Sequence, residues 1–185
     1  LEECRAAGAA IRNLLELDLR PSAIMTREAF ENAIVVNSAL GGSTNAPIHL
    51  NAIAAHLGIA LSNGDWEEFG HAVPLLVNMQ PVGTYLGEDF HRAGGTAAVI
   101  GELLRAGLLP HPDALTVTGQ TIAELYTDTP ILDEDVIRRV ASPLKPNAGF
   151  LNMRGNLFDS ALMKTSAIDA GFRARYFSNA QEAFE

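Results

Sequence analysis

The sequence predicts an α/β fold, in which a helix-rich layered domain with short, parallel strands is followed by a linker and the start of a β-rich domain. Apolar residues recur at helical spacing through most of the first half of the chain. Short apolar runs bounded by turn residues stand between these stretches, which is typical of buried strands. Proline becomes frequent beyond residue 128, which indicates a linker. We therefore predict a first domain over 1–128, a linker over 129–147 and a β-rich domain that begins at 148 and continues through 185.

Helix signals are clearest where a capping residue precedes an apolar periodic stretch. Thr26 is a suitable N-cap for a helix over 27–40, and a Gly-Gly pair ends that helix. Another helix is expected to begin near Asn45 and to end at Gly58. The full set of predicted helices is 1–18, 27–40, 45–57, 62–70, 87–92, 96–106 and 121–126.

Strand signals are short and fewer. Residues 73–79 form an apolar run between turn residues and are predicted as a buried strand in parallel pairing. Residues 115–119 are predicted as a second short strand with a turn. The acidic residues at 133–135 are expected to cap a short helix around Val136 and Ile137.

Composition limits the classes of partner. The chain carries 22 acidic and 13 basic residues, for a formal net charge of −9, and no basic stripe is visible, so nucleic acid is not expected as a partner. The apolar runs are too short to span a membrane and no signal peptide is present, which favours a cytoplasmic protein with no membrane partner. The single cysteine, Cys4, can form no internal disulfide and cannot hold a metal cluster alone. An anionic ligand has to be held against the overall field by local dipoles, a metal ion or a few cations.

The candidate site lies where the helix predicted from Asn45 begins. The sequence Gly-Gly-Ser-Thr-Asn at 41–45 presents free N–H groups and a helix dipole, which together attract anions. The alternative is an ordinary joint between two helices with a good cap. Ser43, Thr44, Asn45 and His49 are the candidate substrate contacts, and His49 is alternatively a core or interface histidine.

The other titratable groups considered are interpreted as structural rather than catalytic. Glu88 and Asp89 follow an apolar run and are interpreted mainly as solvated caps. Lys164 lies in a β-like run between Met163 and Thr165, and we interpret it as a structural or interface lysine rather than a catalytic one.

An ordered series of motifs resembles the dihydroxy-acid and sugar-acid dehydratase family. The series begins with residues 38–45 followed by His49 and Leu50, and it extends over essentially the whole chain. Its further members are Val73-Pro74-Leu75-Leu76, Glu88-Asp89-Phe90-His91 with Gly94-Gly95, Ala106-Gly107-Leu108-Leu109, Thr116-Val117-Thr118-Gly119, Gly155-Asn156-Leu157-Phe158-Asp159-Ser160 and Met163-Lys164-Thr165-Ser166. The forms at 18–22 and 155–160 resemble the pentonate branch more than the branched-chain amino-acid enzyme.

The resemblance implies a hydro-lyase that converts a 2,3-dihydroxy acid, a sugar acid such as an aldonate, into a 2-keto-3-deoxy acid. It implies an iron–sulfur cluster and a magnesium ion in the complete enzyme, which is expected to be a homo-oligomer acting on a small-molecule acid. The family's three cluster cysteines precede the segment seen here, and its catalytic serine follows it. The resemblance also implies that residues 1–128 belong to the C-terminal part of the family's N-terminal domain.

The residues that would do the chemistry are therefore expected outside this chain. The chain begins at Leu1, in what is predicted to be the middle of a helix, so we expect an internal piece of a longer enzyme that is inactive alone and holds no cofactor itself. No catalytic residue and no metal ligand is assigned to it. The alternatives are a dihydroxy-acid dehydratase of branched-chain amino-acid synthesis and a non-catalytic scaffold or binding module.

Overall fold

The computed structural model describes residues 2–168 and Gln181. Between Glu2 and Ile168 the chain forms eight α-helices, one two-stranded sheet and a short 3-10 helix, which confirms the helix-rich α/β class. The elements in chain order are α1 (Glu2–Glu16), α2 (Pro21–Ile24), α3 (Arg27–Ala39), α4 (Asn45–His56), α5 (Asn63–Gly70), α6 (Gly87–Arg92), α7 (Gly95–Arg105), α8 (Ile122–Tyr126), β1 (Phe150–Met153), β2 (Ala161–Lys164) and the 3-10 helix Thr165–Ala167.

The predicted helix starts are confirmed because the caps are local. The hydroxyl of Thr26 accepts a hydrogen bond from the N–H of Ala29 at 3.4 Å, at the start of α3. At α8, Thr121 accepts from the N–H of Glu124 at 3.2 Å while the Glu124 carboxylate accepts from the N–H of Thr121 at 2.7 Å, which is a reciprocal capping box. The short helix α2 was not predicted, and Pro21 occupies its first turn.

Helix α3 is the centre of the fold. It packs against α4, α5 and α7, and its buried face supplies Val35 and Ala39 to the main hydrophobic core. Leu76 packs in the same core from the extended segment that follows α5. Val99 and Leu103 of α7 complete the middle of that core. Burial of these side chains is the main favourable term that holds the helices together.

Helix α1 keeps its predicted apolar face largely uncovered within the described part of the chain. Ile11 and Leu15 are 58% and 76% exposed. None of the helices in the described residues is long and apolar enough to cross a membrane.

The prediction of a parallel strand over 73–79 is wrong. This segment is extended but forms only isolated bridges: antiparallel ones at Leu75 with Lys145 and at Val77 with Ile137, and a parallel one at Met79 with Tyr85. The N–H of Leu75 donates to the carbonyl of Lys145 at 2.9 Å. Because the partner chain returns from 137–145 in the opposite direction, the pairing cannot be parallel. Residues 115–119 likewise form a tight turn closed by a bridge between Leu115 and Thr121 rather than a strand.

Residues 129–147 pack onto the helical body. Ile131, Val136 and Ile137 are all at least 92% buried and belong to the main core. The helix expected around Val136 does not form: the segment is a turn in which the N–H of Asp135 donates to the Asp133 carboxylate at 2.9 Å. The carbonyl of Val136 instead accepts from the N–H of Asn78 at 2.9 Å, so pairing with 73–79 outcompetes a helix here. The predicted domain boundary itself stays a prediction.

Strands β1 and β2 form an antiparallel hairpin with Phe150 opposite Lys164. Phe150 is buried and meets the indole of Trp66 edge to face, with ring centroids 5.6 Å apart. The hairpin is therefore docked on α5. The remainder of the predicted β-rich domain, 169–180 and 182–185, lies outside the described residues.

Glu102 on α7 joins the helical body to the segment that follows α8. Its carboxylate accepts hydrogen bonds from the N–H of Val140 at 3.0 Å, from Arg105 at 3.1 Å and from Arg139 at 3.4 Å. Burial alone would raise the pKa of Glu102, but these three donors outweigh burial and hold the pKa below its ordinary value. The interaction therefore contributes its full stabilisation above pH 4.5, the ordinary pKa of a glutamate side chain. This stabilisation is lost as the pH falls through the lower pKa that Glu102 has in the folded state.

Replacing Glu102 by glutamine is expected to lower the free energy of unfolding by about 1–3 kcal/mol at neutral pH, since three donors lose a charged acceptor that is itself buried. The difference from the wild type should shrink below pH 4.5. Denaturant unfolding at several pH values measures both effects.

Glu134→Gln is the matched control. It removes a carboxylate that bonds the same Arg139 at 2.9 Å but lies on the surface, where ion pairs contribute little. Equal losses in the two variants, or a Glu102→Gln loss that does not depend on pH, would contradict the assignment.

Candidate functional site

The turn between α3 and α4 is built by two glycines. Gly41 has a φ of +62°, a conformation that favours glycine. The N–H of Gly41 donates to the carbonyl of Ser38 at 3.0 Å, and the N–H of Gly42 donates to the carbonyl of Asn37 at 2.8 Å. These two bonds form a Schellman motif, which ends α3 and satisfies its last carbonyls.

The turn leaves two amides without acceptors at the start of α4. The Ser43 hydroxyl accepts from the N–H of Asn45 at 3.1 Å, and the Ser43 carbonyl accepts from the N–H of Ala46 at 3.1 Å. Thr44 precedes the first helical residue, but its side chain makes no capping bond. Within the described part of the chain, the N–H groups of Ser43 and Thr44 meet no acceptor. They are therefore available to an anion.

Next to these amides is a cavity of about 390 Å³, which we call the turn cavity. The α3–α4 turn forms one wall, an extended segment forms another, and the end of β2 contributes a lysine. The lining residues are Leu40, Gly41, Gly42, Ser43, Thr44, Leu75, Val77, Met79, Gln80, Pro81, Val82 and Lys164. Most of these side chains are apolar, and no acidic residue is among them.

Lys164 is the one charged side chain among the described residues that line the turn cavity. Its ammonium group makes no ion pair and no hydrogen bond to any residue of the described ranges. Burial lowers the pKa of Lys164 below the ordinary value of a lysine. Within the described residues, no acidic group therefore compensates the positive charge that Lys164 brings to the lining of the turn cavity.

The structure brings only part of the predicted site together. Ser43 and Thr44 line the turn cavity, whereas Asn45 and His49 do not. His49 lies on an exposed face of α4. Whether these four residues contact a substrate stays a prediction.

Sequence reasoning did not place Lys164, which we interpreted as structural or at an interface, in the lining of the turn cavity. The available signal was a lysine in an apolar run of an acidic chain that holds two lysines in all. Its position beside a turn more than a hundred residues earlier depends on tertiary packing, so no local pattern predicts it.

Two buried polar groups lie behind the turn without partners. The Ser166 hydroxyl and the side-chain amide nitrogen of Asn37 have no hydrogen bond in the described structure. A Cβ at Gly42 would lie 2.0 Å from the Asn37 amide oxygen, and a Cβ at Gly41 would lie 2.8 Å from Leu75. Gly41 is therefore favoured both by its backbone conformation and by its close approach to Leu75, and Gly42 by its close approach to the Asn37 side chain.

The described residues do not form a metal site. Across 2–168 and Gln181, no three His, Cys, Asp or Glu side chains converge to hold an ion. Cys4 is free and exposed on α1. Cys4 is the one cysteine of the chain, and a single thiolate cannot hold an iron–sulfur cluster by itself.

Comparison with known proteins places the chain in a family. Residues 1–125 match the family model "Dihydroxy-acid/6-phosphogluconate dehydratase N-terminal". More than half of the chain is matched, so the chain belongs to the dihydroxy-acid/6-phosphogluconate dehydratase family. This finding confirms the family resemblance that the ordered series of motifs indicated.

Several characterised relatives align with most of the chain. It is 50% identical over 92% of its length to a D-xylonate dehydratase of Caulobacter vibrioides. It is 48% identical over 86% of its length to an L-arabinonate dehydratase of Rhizobium leguminosarum, and 45% identical over 85% to a dihydroxy-acid dehydratase of Francisella tularensis. The alignments span 28% of the length of each of these three relatives.

Replacing Gly41 by alanine is expected to lower the free energy of unfolding by about 1 kcal/mol more than Gly58→Ala does, because Leu75 in the core has to move. Both positions have similar positive φ values, +62° and +72°, so the backbone strain is matched. A Cβ at Gly58 would meet no atom within 4 Å.

Chemical unfolding of the two variants measures the difference. Equal destabilisation would show that Leu75 accommodates the methyl group without cost, and the close approach of the turn to Leu75 would then be wrong.

Proposed function

We propose that the chain is part of a hydro-lyase that removes water from a 2,3-dihydroxy acid, in particular a sugar acid such as an aldonate, to give a 2-keto-3-deoxy acid. Membership of the dehydratase family over residues 1–125 is the observation that supports the reaction class. Two relatives named for pentonates, at 50% and 48% identity, support the sugar-acid substrate.

A branched-chain dihydroxy acid is the second candidate substrate. Relatives named dihydroxy-acid dehydratase align at 45% and 44% identity, the latter over 98% of the chain. The identities to the two pentonate relatives, 50% and 48%, are only a few percentage points higher than these. A non-catalytic scaffold or binding module remains the third candidate.

In the proposed enzyme, this segment supplies a wall of the substrate site rather than the reacting groups. The Ser43 and Thr44 amides, which meet no acceptor within the described residues, are proposed to hydrogen-bond an oxyanion, and the bond from the N–H of Asn45 to the Ser43 hydroxyl at 3.1 Å supports an ordered turn there. Asn45 and His49 are kept as substrate-side candidates.

We propose that the iron–sulfur cluster and the magnesium ion of the complete enzyme are held by residues outside 2–168 and Gln181. When bound, these groups supply Lewis-acid chemistry at the departing hydroxyl and the substrate oxygens. A homo-oligomeric state and a cytoplasmic location are part of the same proposal, and they rest on the family resemblance and on composition.

The reaction class is tested by incubating the complete protein with a pentonate and with a branched-chain 2,3-dihydroxy acid, and measuring the 2-keto acid formed. We expect faster turnover of the pentonate. Faster turnover of the branched-chain acid would establish the second candidate, and no 2-keto acid from either would contradict the proposed reaction.

Ser43→Ala is expected to raise KM for the preferred acid, with a smaller effect on kcat, because the turn that positions the amides loses its cap. Ser62→Ala is the matched control, since Ser62 precedes α5, bonds Asp65 there and does not line the turn cavity. Steady-state kinetics of both variants measure the effect. Identical KM values in the wild type and Ser43→Ala would show that this turn does not contact the substrate.

A further inference from the structure

We infer that the turn cavity is an oxyanion-binding site that takes a carboxylate or phosphate group of a small molecule, with Lys164 as its counter-ion. This inference deepens the proposed function by assigning a binding group to the part of the enzyme seen here. It concerns binding only, so it is tested without turnover.

The charge balance of the cavity is the first argument. Lys164 is half-buried and its ammonium group has no partner among the described residues, while none of the other described lining residues is charged. Partial removal of a cation from water is unfavourable unless an opposite charge compensates it. A bound oxyanion compensates Lys164 directly.

The hydrogen-bond donors are the second argument. The amides of Ser43 and Thr44 face no acceptor in the described structure, and the hydroxyls of both residues belong to the same wall. Backbone N–H groups beside an ammonium form the donor set that carboxylate and phosphate oxygens prefer.

The apolar remainder of the lining is the third argument. Leu40, Leu75, Val77, Met79 and Val82 surround the donors. Such walls lower the local dielectric constant and strengthen each charge-assisted bond. They also provide contact for the carbon chain of an organic acid.

The overall charge of the protein makes this local arrangement necessary. A net charge of −9 repels anions at long range. An acidic ligand therefore needs a place where positive charge is concentrated, and the turn cavity provides one.

The experiment measures binding by calorimetry with the complete protein. The three ligands are inorganic phosphate, a 3-deoxy sugar acid that cannot lose water across C2 and C3, and the neutral alcohol analogue of that acid. We expect both anions to bind and the alcohol not to bind detectably. Tighter binding of phosphate identifies a phosphate group as the natural ligand, and tighter binding of the sugar acid identifies a carboxylate.

Lys164→Met is expected to weaken binding of both anions roughly tenfold or more, the usual consequence of losing a charge-assisted hydrogen bond. Lys164→Arg keeps the charge and should recover part of the affinity. Arg12→Met is the matched control, because it removes one positive charge from an exposed position on α1, outside the cavity lining.

Three results would overturn the inference: no binding of either anion to the wild type, equal affinities in the wild type and Lys164→Met, or equal losses in Lys164→Met and Arg12→Met. Thermal unfolding of each variant verifies that it folds. Because no turnover is measured, a protein that binds the anions but dehydrates neither acid would refute the proposed reaction and leave the oxyanion site standing.

Discussion

The Schellman turn after α3 is the constraint on which the rest of the site depends. Two backbone bonds, from Gly41 to Ser38 and from Gly42 to Asn37, end the central helix and turn the chain directly into α4. The close approach of Gly41 to Leu75 places the turn against the core. A side chain at Gly41 would press on Leu75, in the segment that forms the opposite wall of the cavity, whereas one at Gly42 would meet the side chain of Asn37.

That opposite wall is held by backbone hydrogen bonds rather than by a regular sheet. The N–H of Leu76 donates to the carbonyl of Ala39 at the end of α3, at 2.9 Å. On its other side, the segment bonds to the returning chain through the pairs Leu75–Lys145 and Val77–Ile137. The ammonium group of Lys145 then binds the carbonyls of Ser166 and Ile168 at 2.6 and 2.8 Å. This chain of contacts fixes the end of the β-hairpin and thereby positions Lys164.

The helices were predictable from sequence because their signals are local. Thr26, Ser62 and Thr121 each precede a helix whose start the structure confirms. The pairing of 73–79 was not predictable, since an apolar run has the same appearance whether its partner runs parallel or antiparallel. The helix predicted after the capping residues at 133–135 does not form, because backbone bonds to the distant segment 73–79 outcompete a local helix.

Only the part of the candidate site that lies in the turn between α3 and α4 was predictable from the sequence. Ser43 and Thr44 were found because a glycine pair followed by capping residues is a local pattern. Lys164 was not found because its place in the cavity lining, without a partner among the described residues, is visible only in the folded chain. Composition nevertheless indicated the need for such a group, since an acidic protein that binds an acid requires a local cation.

Lys164 lines the turn cavity with no counter-charge among the described residues, and we infer that an oxyanion compensates it there. This inference is tested most directly by NMR titration of the lysine side chains, with Lys164→Arg to assign the signals. We expect Lys164 to titrate below the ordinary value of 10.5, because burial lowers its pKa, and we expect inorganic phosphate to raise that pKa. An ordinary pKa for Lys164 that phosphate leaves unchanged would contradict the account.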